Sequence, residues 1–330
     1  MKNKQKKQSI KDYATDPNLS KEVREFLKII NTSGGPALET LPLADAQAGL
    51  ANAQASVEVD VAGVKIDLKT ITSDGYTVDL HIVRPENANG ILPAFMFIHG
   101  GGWILGDFPT HRRLVRDIVL ESGMAAVFVN YSRTSEAPYP QAINEIYAAT
   151  KWVAANGETI HVDGSKLAIV GNSVGGNMST VTCLMAKEKG GPEIKLQVMM
   201  WPIVDADFET KSYRKFGKDR FLSTSLMKWM YDLYIKNPEE RKTIYASPLQ
   251  ATLEQLKGLP PALIQTAEND ILRDEGEVYG RKLDEAGVPV TTVRYNGMIH
   301  DFGLLNGLAT LPAVRSHIRQ IGAELKKYLV

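Results

Sequence analysis

From about residue 56 onward, short β-rich runs alternate with stretches that are apolar at every third or fourth position. This is the pattern of a mostly parallel sheet covered by helices on both faces. Eight strands are predicted, at Val64 to Ile71, Thr77 to Val83, Ala94 to Ile98, Ala125 to Tyr131, Leu167 to Val170, Leu196 to Trp201, Ala262 to Thr266 and Thr291 to Tyr295. Most are continuous apolar runs, as expected of strands buried on both faces, whereas the first two interleave Asp, Lys and Thr and read as an antiparallel edge. Helices are predicted between them at Thr110 to Glu121, Gln141 to Ala155, Gly176 to Lys187, Glu275 to Ala286 and Ala313 to Leu329. Gly123, Gly157, Gly190 and Gly287 stand where left-handed caps would close these helices.

Two stretches break the alternation. Residues 1–55 show helical periodicity (Lys21 to Ile30, Asp45 to Ala55) around a Ser33-Gly34-Gly35-Pro36 break and read as a separate helical layer. Residues 205–245 fall between two predicted sheet strands and are rich in aromatic and Met residues, which at helical spacing more often form plain core than a ligand pocket. The α/β core is therefore expected in two parts, 56–204 and 246–330. No repeat or low-complexity tract interrupts it.

Composition narrows the functional classes. Of 330 residues, 44% are hydrophobic and 23% charged, which sets aside disordered and fibrous readings. Lys plus Arg (38) balances Asp plus Glu (38), so no overall basic field exists to attract nucleic acid. A single cysteine, Cys183, excludes an intrachain disulfide framework and a cysteine-rich metal site, and fits a reducing, cytoplasmic compartment. The start carries Lys2, Lys4, Lys6 and Lys7, but Ser9 to Glu22 is polar and supplies no apolar signal region. The longest apolar runs fall far short of the roughly 18 residues of a membrane span.

The most informative segment runs Leu167-Ala168-Ile169-Val170-Gly171-Asn172-Ser173-Val174-Gly175-Gly176-Asn177. A strand leading through Gly-x-Ser-x-Gly into a helix is the context of a nucleophile elbow, in which small neighbours let a strained turn project Ser173 above the sheet. A second element, His99-Gly100-Gly101-Gly102-Trp103, ends an earlier strand. Its glycines let backbone N–H groups point into a cavity, and Gly101 and Gly102 with the Val174 amide are candidate donors to an oxyanion. A phosphate cradle would need Gly-Lys-Ser or Gly-x-Gly-x-x-Gly opening a helix, and neither is present.

A serine hydroxyl needs a base, and the base an orienting carboxylate. Of six histidines, only His300 stands in a loop just after a late strand, at the expected carboxyl edge of the sheet. Asp270 follows the preceding strand most closely, with Glu268 as a weaker rival. Asp274 and Glu275 suit the first turn of the next helix, where carboxylates favour the dipole. The order Ser173, Asp270, His300 is that of α/β-hydrolases and not of chymotrypsin-like or subtilisin-like enzymes.

With these residues the chain resembles the hormone-sensitive-lipase branch of the α/β-hydrolases, the bacterial family IV esterases, over roughly residues 60 to 330. His99-Gly100-Gly101-Gly102 resembles the family's His-Gly-Gly-Gly, and Gly171-Asn172-Ser173-Val174-Gly175-Gly176 its Gly-Asp-Ser-Ala-Gly-Gly. Asp270 with Leu272-Arg273-Asp274-Glu275-Gly276 resembles the acid segment, and Gly297-x-x-His300-x-Phe302 the histidine segment. Asn172, Val174 and Ile271 depart from the usual Asp, Ala and Pro, and Ser132-Arg133-Thr134-Ser135-Glu136 stands where the family has Arg-Leu-Ala-Pro-Glu. The resemblance implies an α/β-hydrolase fold with a helical cap built from residues 1–55 and 205–245, in which Trp103, Phe208 and Phe216 would contact substrate. It further implies a serine carboxylester hydrolase on short- to medium-chain esters, without metal or organic cofactor, and suggests a homodimer. Amidase, lactonase and peptidase activities use the same machinery, and a non-catalytic small-molecule receptor on this fold is the reading from a different class.

Overall fold

The computed structural model describes residues 12–330; the lysine-rich start and the first eleven residues of the predicted helical layer lie outside the described residues. Eight strands form one sheet: β1 (Val64–Ser73), β2 (Tyr76–Pro85), β3 (Leu92–Ile98), β4 (Ala125–Asn130), β5 (Val162–Asn172), β6 (Gln197–Met200), β7 (Ala262–Ala267) and β8 (Val290–Tyr295). Their spatial order is β1-β2-β4-β3-β5-β6-β7-β8. The β1–β2 and β2–β4 pairs are antiparallel and every later pair is parallel. The antiparallel edge is set by a two-residue turn in which Asp74 (φ 53°) and Gly75 (φ 82°) both take the left-handed backbone that matches strand twist.

Among the described residues ten α-helices accompany the sheet: α1 (Lys21–Thr32), α2 (Leu43–Ala55), α3 (Phe108–Ser122), α4 (Gln141–Asn156), α5 (Val174–Lys189), α6 (Lys211–Phe216), α7 (Thr224–Tyr234), α8 (Leu253–Leu256), α9 (Arg273–Glu285) and α10 (Pro312–Leu329). Side chains alternate along each strand, so both sheet faces must be covered. From β3, Ala94, Met96 and Ile98 join Ile146 of α4, Met178 of α5 and Leu283 of α9 on one face. Phe95 and Phe97 join Leu114 of α3 and Ile318 of α10 on the other. Each such fully buried large side chain contributes on the order of 1.5–3 kcal/mol through removal of apolar area from water.

Gly123, Gly190 and Gly287 have the left-handed backbone expected of caps, but Gly157 does not. Its φ is −53°, and the left-handed residue is His161, four positions on. Gly157 is instead required by packing, since a Cβ there would lie 2.6 Å from the Val162 carbonyl oxygen.

The two stretches outside the sheet alternation fold as α1 and α2, and as α6 and α7. The start of the described chain is tied to the far end of the sheet: Leu19 bridges Gly297, the Ser20 N–H donates to the Gly297 carbonyl (3.2 Å), and the Asn269 amide donates to the Asn18 carbonyl (2.8 Å). A buried Asp16–Arg220 ion pair (2.9 Å) joins the same segment to the loop before α7. Among the described residues no helix is long and apolar enough to cross a membrane.

Candidate active site

The parallel strands all deliver their carboxyl ends to one edge of the sheet, where ligand sites of open α/β sheets lie. β3 and β5 are neighbours, with Ile98 opposite Gly171, so the glycine loop after β3 meets the turn after β5. That turn holds Ser173 at φ 55°, ψ −121°, a strained conformation for a residue with a side chain. Three close approaches permit it. A Cβ at Gly171 would strike the Gly175 carbonyl, one at Gly175 the Ile98 carbonyl, and one at Gly176 would come within 2.9 Å of Pro202.

β7 and β8 bring the remaining polar groups. His300 Nε2 lies 3.0 Å from Ser173 Oγ, and His300 Nδ1 lies 2.7 Å from Asp270 Oδ2. Asp270 Oδ1 accepts from the Leu272 N–H at 3.0 Å, which fixes the carboxylate's rotation. All three side chains are buried. Glu268, the rival acid, instead accepts from the Gly297 N–H (2.8 Å) and steadies the loop that carries His300. Asp274 accepts from the Ser212 N–H at the start of α6 (2.9 Å). Asp274 and Glu275 both stand in the first turn of α9 as expected, and Glu275 also accepts from the Val204 N–H (2.8 Å) where β6 leaves the sheet, while burial pushes its carboxyl well above the usual carboxylate range.

Electrostatics separate His300 from the other buried histidines. Burial lowers His99 to about 4 and His317 to about 3, because the charged imidazolium loses its hydration. Burial opposes the charge on His300 too, but the Asp270 and Asp301 carboxylates outweigh it and raise its pKa above the ordinary value. His99 is stacked on Tyr131 (centroids 4.1 Å apart) and His81 on Phe108 (4.0 Å), both in packing roles.

The glycine loop presents its backbone to Ser173. Gly101 (φ 112°) and Gly102 (φ 62°) are both left-handed. The hydrogen bonds that tighten the loop are donated by Ile104 and Leu105 to the Gly101 carbonyl, so the Gly101 and Gly102 N–H groups are not the donors in them. Val174 opens α5, where a helical N–H has no acceptor within its own helix.

Ser173 and His300 open onto a cavity of about 190 Å³. Its walls come from both stretches outside the sheet, including Leu50 and Ala53 of α2 and Met227 and Met230 of α7. Met230 presses on the glycine loop, since a Cβ at Gly102 would overlap its sulfur. Trp103, Phe208 and Phe216, expected to contact substrate, are not among the lining residues. Trp103 stacks on Tyr234 (4.2 Å), Phe208 packs edge-on to Tyr213 and Tyr231, and Phe216 is buried beside the Arg220 and Arg273 guanidinium groups. Sequence reasoning missed the aliphatic and Met lining, because helical periodicity shows that a face is buried without showing which buried residue borders a cavity.

Residues 95–304 match the model of a family described by its alpha/beta hydrolase fold. A carboxylesterase of Mycobacterium tuberculosis is 32% identical over 263 residues, covering 79% of this chain and 82% of that protein. An ethyl acetate hydrolase of Pseudomonas putida is 31% identical over 238 residues, covering 71% and 74%. Among solved structures, a thermostable esterase from Pseudomonas putida superposes with a TM-score of 0.94 at 55% identity, covering 96% of this chain and 99% of that one. With its glycine loop, serine elbow and acid and histidine segments carried on this sheet, the chain belongs to the α/β-hydrolase family, in the hormone-sensitive-lipase branch.

Proposed function

We propose that this protein is a serine carboxylester hydrolase of short- to medium-chain acyl esters. The observation that carries this reading is the unbroken hydrogen-bonded line from Asp270 through His300 to Ser173, ending at the floor of a cavity walled by Leu, Met and Phe. The kinship with a carboxylesterase and an ethyl acetate hydrolase supports it.

In this mechanism Asp270 holds the imidazole with its proton on Nδ1, leaving Nε2 to take the proton from Ser173 Oγ as the oxygen attacks the ester carbonyl. The tetrahedral oxyanion is met by the N–H groups of Gly101, Gly102 and Val174. Its collapse expels the alcohol, which receives the proton from His300 Nε2. Water, deprotonated by the same nitrogen, then releases the acid and restores Ser173. The described part of the first stretch, residues 12–55, and residues 205–245 act as a cap that closes the cavity over the acyl group. In the same reading the protein works in the cytoplasm, where Cys183 stays a buried thiol, and pairs as a homodimer through a sheet edge.

Cavity size sets the first expectation. A space of about 190 Å³ lies below the roughly 300–1,000 Å³ of sites for drug-sized ligands. Across 4-nitrophenyl acetate, butyrate, octanoate and palmitate, turnover should be rapid for the first two, fall at octanoate and vanish at palmitate. Equal rates along the series would refute the assignment of this cavity to the acyl group. Failure of folded protein to hydrolyse any of the four would remove the esterase reading.

The second expectation concerns pH. His300 must be neutral to accept the proton, and its pKa is raised by Asp270 and Asp301 against the opposing effect of burial. Activity is therefore full above that pKa and lost as pH falls through it, with the midpoint of the acid limb of kcat/KM above the ordinary histidine value of about 6.5. A limb centred below that value in a kcat/KM profile would contradict the two-carboxylate environment.

A further inference from the structure

Asp301, the residue after the proposed base, is buried and held at φ 58°, a left-handed backbone uncommon for a residue with a side chain. Its Oδ1 accepts from Trp201 Nε1 (2.7 Å) and from Asn172 Nδ2 (3.1 Å). Asn172, the residue before the proposed nucleophile, passes the connection on, since its Oδ1 accepts from the Gly100 N–H (2.9 Å) at the root of the glycine loop. The other oxygen, Oδ2, lies 3.8 Å from His300 Nε2, and Asp301 borders the cavity. The loop after β8, the elbow after β5 and the loop after β3 are thus joined by side chains that take no part in the proton relay.

We propose that Asp301 and Asn172 form a clamp that positions the oxyanion loop against the nucleophile and sets the charge beside His300. This rests on the hydrolase reading above and adds two positioning residues to it. Donor and acceptor roles in the clamp are fixed by chemistry. The Gly100 N–H can only donate, so the residue at 172 must turn an oxygen to it. An asparagine there has its amide left to donate to Asp301, whereas an aspartate would set two carboxylates against each other. The family's more usual aspartate at position 172 is therefore incompatible with a carboxylate at 301 in this arrangement. The charged groups facing His300 are Asp270, from the loop after β7, and Asp301; the remaining residues bordering the cavity are Ser173, glycines and apolar side chains.

The test is a double-mutant cycle on the full chain with N172D, D301N and the combined variant, reading kcat and KM for 4-nitrophenyl butyrate, the acid limb of kcat/KM, and melting temperature. N172D should lose roughly 10- to 100-fold in kcat with KM little changed, as expected when a catalytic group is displaced by a fraction of an ångström to about 1 Å. D301N keeps an oxygen for Trp201 and Asn172, so it should lose less than about tenfold, while its acid limb moves to lower pH because one carboxylate near the imidazole is gone. In the combined variant the amide at 301 must keep its oxygen toward Trp201 Nε1, the same corner that residue 172 reaches, so it cannot donate to the carboxylate introduced at 172, and kcat should stay within about threefold of N172D. The clamp is overturned if N172D keeps kcat within about twofold of wild type, if the combined variant recovers the wild-type kcat, or if the acid limb of D301N does not move. Should N172D fail to fold, the limb of D301N decides alone. Wild-type protein that neither turns over the ester nor takes up a fluorophosphonate at Ser173 overturns the hydrolase reading, and the clamp with it. A labelled, active wild type with unmoved variants overturns only the clamp.

Discussion

Ser173→Ala is expected to reduce kcat for 4-nitrophenyl acetate by about 10⁶-fold, the scale on which removing a triad nucleophile acts. The fold should be untouched. The hydroxyl's hydrogen bond is the 3.0 Å contact to His300, and an alanine must occupy the same strained backbone that serine already occupies. The melting temperature should therefore stay close to that of wild type, while labelling by a fluorophosphonate disappears. What remains should be the slow hydrolysis that the oxyanion donors and substrate binding support without a nucleophile, about 10³–10⁴-fold above water. A variant retaining more than about a hundredth of wild-type kcat would mean that another group attacks the carbonyl.

Asp270→Asn is expected to cost about 10⁴-fold in kcat with little change in KM or stability. The size of the loss follows from the partners of the two carboxylate oxygens. Leu272 offers an N–H to Oδ1 at 3.0 Å, so an amide at this position turns its oxygen there and its NH₂ toward His300 Nδ1. Nδ1 must then accept, which forces the imidazole proton onto Nε2, and a protonated Nε2 cannot take the proton from Ser173. The opposite rotation would set two donors face to face at Leu272. Loss of less than about tenfold would shift the orienting role to another carboxylate, and Asp301, 3.8 Å from Nε2, would be the first to test.

All eight strands were legible, because buried parallel strands are continuous apolar runs that few other elements imitate. Their ends were less so. β5 starts at Val162, five residues before the apolar run, because the Asp163-Gly164-Ser165-Lys166 stretch extends without apolar side chains. The order of strands was not legible at all, since periodicity carries no information on which neighbour a strand chooses. The structure brings together Ser173, His300 and Asp270, which local motifs at strand ends single out. Asp301 escapes a reading of the sequence although it adjoins His300, because its importance lies in contacts to Asn172 and Trp201 across the site. Aromatic character draws attention to Phe208 and Phe216, yet the wall beside Ser173 is built from Leu50, Met227, Met230 and other residues whose composition matches any core.

The early segment around Asn18 and Leu19 has a consequence for how the molecule can be handled. It supplies backbone partners to Gly297 and Asn269, which lie in the loops carrying His300 and Asp270. Removing the segment that precedes α1 would leave those loops without their fastening, although none of its described residues borders the cavity. Hydrolysis thereby becomes a gauge of whether the segment around Leu19 is docked against the loops of His300 and Asp270.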